Sequence, residues 1–166
     1  MLRNSFALVL ILALPTRLAG QSSWDRYKPG TIAGVMAANR ASVLADFASG
    51  SDSNLIFSAA GFATVTTVEY QDSLRPTPPT HLRYLMGWAR SFRLGFDPKA
   101  VFGREVLVRE GSLLLWLPVQ DTVVKVLRPQ LHRGDQILLY VVFAGAQGGR
   151  GPDIDWMFIV NDIQKK

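Results

Sequence analysis

The chain is expected to fold as a single α+β domain, a mainly antiparallel sheet with two or three helices packed against it. Two observations lead there. The segment from Thr80 repeats its apolar residues at helical spacing. Several short stretches rich in β-branched and aromatic residues are cut by Gly, Pro and Asp turns. Taken together these elements give helices segregated from an antiparallel sheet, which is the α+β class.

The first element is an export signal over residues 1–20. Arg3 supplies the positive start, Phe6 to Leu14 is uninterrupted apolar sequence, Pro15 breaks it, and Leu18-Ala19-Gly20 places small residues before Gln21. The apolar run is about half the ~20 residues that span a bilayer, so cleavage is expected rather than anchoring. Gln21 stands where a lipoprotein would carry its acylated cysteine, and the chain has no cysteine at all. Residues 21–166 are therefore expected as one exported domain, with possible lobes 21–103 and 104–166, in the periplasm or outside the cell. Without disulfides its stability rests on packing, for which 48% apolar residues suffice.

Thr31 to Asp46 reads as a helix with Thr31 as its N-cap, although Gly34 and the valines leave a strand open. Asn54 to Ser58 and Phe62 to Tyr70 read as strands, the second alternating Phe62, Thr64, Thr66, Val68 and Tyr70 on one face. Pro76 to Pro79 is expected to stop extended structure. From Thr80, Leu82, Leu85, Met86, Ala89 and Phe92 form one helical stripe that Arg83, Arg90 and Arg93 avoid. Gly95 to Gly103 reads as a loop. Glu105 to Arg109 and Ser112 to Leu117 form a hairpin in which Gly111 supplies a positive φ. Asp121 caps a short helix to Leu127, Arg133-Gly134-Asp135 turns the chain, and Gln136 to Ala144 and Trp156 to Val160 are buried strands flanking a Gly-rich loop, Gly145 to Asp155. This carboxyl third looks similar to the small SH3-like barrels used as exported binding modules, which implies a compact barrel and a recognition role.

The excess charge of +5 is mild and lacks any run of Lys or Arg, which with export argues against nucleic acid as a partner. Catalytic motifs are absent: His81 and His132 stand far apart, and no HExxH or GxSxG occurs. Each histidine is expected in a surface or capping role. Gly148 to Asp153 begins like a calcium β-roll repeat, but Asp155 stands where a large apolar residue belongs and there is no second copy, so neither metal nor cofactor is expected. Arg133-Gly134-Asp135 reads as a turn, and the spacing of Pro76 and Pro79 as a helix start. Carboxylates for sugar hydrolysis could come from Glu105, Glu110, Asp153 and Asp155, with nothing in the sequence fixing their separation. Trp88, Trp116 and Tyr140 are expected in the core.

The reading these observations favour is a non-catalytic exported module that binds a cell-envelope polymer or a protein partner. The expected site is the Gly-rich loop, with Arg150 as donor fork, Asp153 and Asp155 as acceptors, and Trp156 as apolar contact at the loop base. An envelope hydrolase, or a subunit that assembles through an exposed strand edge, are the competing expectations.

Overall fold

The computed structural model describes residues 25–49, 55–59, 62–148 and 153–166. The export signal and Arg150 lie outside them. The elements run β1 (Lys28–Pro29), α1 (Ile32–Ala48), β2 (Leu55–Phe57), β3 (Ala63–Pro76), α2 (Pro79–Ser91), α3 (Pro98–Val101), β4 (Arg104–Glu110), β5 (Leu113–Val119), α4 (Asp121–Leu127) with a following 3-10 turn, β6 (Gln136–Gly148) and β7 (Ile154–Lys165). This is an α+β protein. No helix among the described residues is long and apolar enough to cross a membrane.

The seven strands form one mixed sheet in the order β1-β3-β4-β5-β7-β6-β2, and β3 also pairs with β6. That extra pairing closes β3-β4-β5-β7-β6 into a ring. Within it β3–β4, β4–β5, β6–β7 and β3–β6 are antiparallel, whereas β5 and β7 run parallel and meet only at Val119 and Val160. Five strands joined in this order, with a helix between the third and fourth, have the connectivity of the partly open Greek-key barrel of the OB type. The sheet is therefore not confined to the carboxyl third as expected, nor does that third make an SH3-like barrel alone. The physical reason lies in β3, long enough to pair with β6 through its first half and with β4 through its second.

Alternation along the strands sorts side chains between two main cores, with a third small cluster of Tyr27, Ala63 and Val142. Val68 and Tyr70, Val106 and Val108, Leu117 and Val119, Ile137, Leu139, Val141 and Phe143, and Phe158 and Val160 fill the barrel, completed by Ile32 of α1 and Val124 of α4. The opposite faces of β6 and β7 present Ala144, Met157 and Ile159, which α2 covers with Tyr84, Leu85 and Trp88. Of the helical stripe read from Thr80, Leu85 and Ala89 are buried on this underside beside Tyr84 and Trp88, which the stripe did not include, whereas Leu82, Met86 and Phe92 are only partly buried.

Several boundaries differ from expectation. β3 does not end at Tyr70: a bulge around Asp72, at φ 51, absorbs Gln71 to Ser73 and the strand resumes to Pro76. Asp97 caps the Lys99 N–H and Pro98 starts the short α3 inside the expected loop. Of the expected loop from Gly145 to Asp155, residues 149–152 lie outside the described residues, and the rest are strand except Asp153. β6 passes through a bulge at Gly145, where φ is 129 and a side chain would collide with the Ile56 carbonyl and the Tyr84 hydroxyl, and continues to Gly148. The hairpin turns at Gly111, φ 58, as expected. Thr31 caps α1 by accepting from the Gly34 N–H.

Candidate functional site

The strand and helix around the β3–α2 junction bring together four ionisable side chains. Arg75 and Glu105 are register partners on β3 and β4. Pro78 and Pro79 start α2 immediately after β3, so His81 lies in the first turn of α2, over the same place. Asp155 enters from the start of β7. Because Val106 points into the barrel, Glu105 points out of it, under α2, where it is fully buried.

Both Glu105 oxygens are occupied. Arg75 places Nε 2.7 Å and Nη2 2.6 Å from Oε2, and His81 Nδ1 lies 2.5 Å from Oε1. His81 Nε2 lies 3.1 Å from Asp155 Oδ2, and Gln147 donates to the same oxygen at 2.5 Å. Hydrogen bonds to Asp155 and Glu105 outweigh the burial that opposes charge and raise the His81 pKa from 6.5 to about 9. Burial pushes Asp155 upward, but the bonds from His81 and Gln147 win and leave its carboxyl below the usual range. At neutral pH His81 is therefore an imidazolium bridging two carboxylates. Two cations face two anions, which makes this cluster a neutral clasp between β3, β4, α2 and β7.

Arg75 also faces outward. Its Cζ stands 4.4 Å above the centroid of the Trp116 ring, a cation–π stack whose cation is held in place from below by Glu105. Trp116 belongs to an outer row on β4 and β5 that the register assigns directly: Glu105 beside Pro118, Leu107 beside Trp116, Arg109 beside Leu114. Leu107, Leu114 and Trp116 lie outside the three buried clusters, and Leu114 is 55% exposed. Arg109 reaches Gln71 at 3.5 Å. The face is an apolar stripe flanked by two guanidinium groups, one of them fixed by a buried carboxylate.

The residues expected to form the site are placed as follows. Asp153 is exposed at the start of the described segment. Asp155 is engaged by His81 and Gln147 rather than presented. Trp156 is half-buried against the barrel core, with its ring 5.8 Å from that of Phe143. A continuous chain of contacts nevertheless leads from this strand to the outer face, through Asp155, His81, Glu105, Arg75 and Trp116. Sequence reading placed His81 in a surface or capping role; it bridges carboxylates 24 and 74 residues away. The remaining candidates serve the fold. Glu110 accepts from the Ile32 and Ala33 N–H groups and from Thr66, tying α1 to the barrel. Asp135 closes its own turn on the His132 N–H and pairs with Lys165 at 3.0 Å, so the Arg133-Gly134-Asp135 carboxylate is occupied. Trp88 is buried and donates to the Ser58 carbonyl. No group of three or more ligating side chains suited to a metal ion occurs among the described residues.

Known families, curated proteins and solved structures give no significant match to this chain. Its function is therefore argued from the site alone.

Proposed function

We propose that this protein is an exported, non-catalytic binding module that recognises a cell-envelope polymer on the outer face of β4 and β5. The observation that carries the reading is the Arg75–Trp116 stack anchored on the buried Glu105. A guanidinium immobilised by an interior carboxylate loses little freedom when a ligand arrives, so the face is pre-organised. Beside it, Leu107, Leu114 and the Trp116 ring offer the apolar surface on which sugar rings lie, and Arg75 and Arg109 suit anionic substituents. The outer strands of OB-type barrels bind oligosaccharides and oligonucleotides; that likeness of fold is an analogy, and export favours the sugar. The clasp speaks against a hydrolase. Its histidine is protonated at neutral pH and both carboxylates are committed to cations, which leaves no free base. The test is cosedimentation with purified insoluble cell-wall glycan. The parent should pellet with the glycan, whereas Trp116→Ala should not, at an unchanged fold.

Assembly through a strand edge has its own support. β5 is paired along one side by β4 but on the other only at Val119, and Leu113 to Val119 carries no charge to discourage pairing. Sedimentation velocity distinguishes this reading, which requires a dimer that Leu114→Lys dissolves.

A further inference from the structure

A second surface lies at the other end of α2, away from the clasp. An open groove of about 390 Å³ is lined by Met86, Leu94 and Phe96, with Arg90 and Arg93 among its walls. None of the ion pairs or side-chain hydrogen bonds among the described residues engages Arg83, Arg90 or Arg93. The segment from Thr77 to Gly103 carries Arg83, Arg90, Arg93 and Lys99 against the single carboxylate Asp97, which caps α3 with one oxygen. The groove thus joins apolar side chains to Arg90 and Arg93, which outnumber the one carboxylate in its lining, Asp97.

The backbone adds an independent observation. α2 ends in a Schellman motif: Leu94 N–H bonds to the Ala89 carbonyl at 2.9 Å, and Arg93 N–H to that of Arg90 at 3.2 Å. The residue between these bonds and the helix adopts a left-handed conformation, the position where glycine is standard. Here it is Arg93, at φ 52. Glycine would take this conformation without steric penalty, so Arg93 is held here at a cost to the fold.

We infer that this groove docks the protein on an anionic bilayer, Arg90 and Arg93 holding a lipid phosphate while Met86, Leu94 and Phe96 meet the upper acyl region. A bilayer fits better than a free amphiphile because a withdrawn lipid needs most of its surface enclosed, and this groove is open. The inference is independent of the β4–β5 face.

The experiment is cosedimentation with vesicles of phosphatidylcholine alone and of phosphatidylcholine with about one third phosphatidylglycerol, at low and high salt. The parent is expected on the anionic vesicles only, with binding weakened by salt. Arg93→Gly should raise Tm by roughly 3 °C, since the strain is removed, yet weaken vesicle binding roughly five-fold, and Arg93→Lys should retain binding. Failure of the parent to bind, equal binding to neutral vesicles, or undiminished binding by Arg93→Gly would each overturn the inference. So would equally tight binding of short-chain phosphatidylglycerol below its micelle concentration, which would make the ligand a free amphiphile. Trp116→Ala should leave vesicle binding intact, which separates this surface from the proposed glycan site.

Discussion

Replacing His81 with glutamine removes the one side chain among the described residues that bonds to both Glu105 and Asp155. Glutamine can donate to one carboxylate but carries no charge, so Glu105 keeps only Arg75 and Asp155 only Gln147. The magnitude follows from linkage. His81 titrates near 6.5 when unfolded and at about 9 when folded, so the folded protein holds this proton more tightly. At about 1.4 kcal/mol per pH unit that is at most about 3.5 kcal/mol, and about 2 after allowing for solvent at the partly wetted Asp155 side. A raised folded value fixes the sign: the contribution is complete below about pH 6.5 and is lost as pH rises through about 9. Urea unfolding of parent and variant at a series of pH values from 6 to 10 reads it out, because lysine and tyrosine titrations common to both cancel in the difference. The stability gap should be widest at pH 6 and shrink by about 2 kcal/mol toward pH 10. Parallel curves would show that His81 is not the charged bridge.

Three further outcomes are expected. Leu139→Ala removes a fully buried barrel side chain and should cost about 2 to 5 kcal/mol in urea unfolding. Glu110→Ala strips α1 of the carboxylate that accepts its first two N–H groups; a loss of about 1 to 3 kcal/mol is expected, with helix signal lost ahead of the barrel in hydrogen exchange. Gly145→Ala places a methyl against the Ile56 carbonyl and the Tyr84 hydroxyl at a positive φ, and should lower Tm far more than Gly111→Ala, where nothing lies within 4 Å.

What the sequence revealed and what it hid divide along a physical line. Signals within one element were legible: Thr31 before α1, part of the apolar stripe of α2 and Gly111 in its hairpin all act on neighbours a few residues away, whereas Asp121, read as the cap of α4, is its first residue and makes no capping bond among the described residues. Long-range pairing was not. Nothing local in Gln71-Asp72-Ser73 announces that β3 continues, since a bulge looks like a turn until the partner strand is present. The Gly-rich stretch after Ala144 reads as a loop for the same reason, although Gly145 is there to let β6 kink past β2. The clasp was the least legible, because Arg75, His81, Glu105 and Asp155 meet only after the barrel closes. A usable signal did exist in Asp97-Pro98, a cap followed by proline, which marks the short α3. The outward position of Trp116, on which the proposed recognition face rests, was hidden by a sound prior. Tryptophan is usually core, and that Trp116 faces outward follows from the alternation of β5 once Leu117 and Val119 are known to point inward.

The most direct test of the proposed recognition face is hydrogen–deuterium exchange of the protein free and mixed with cell-wall glycan. The account requires new protection in β4 and β5, from Arg104 to Val119, centred on Leu107 and Trp116, while the first turn of α2 changes little because the clasp is already formed. Protection confined to the segment joining β6 and β7, with β4 and β5 unchanged, would contradict it and return recognition to the Gly-rich loop.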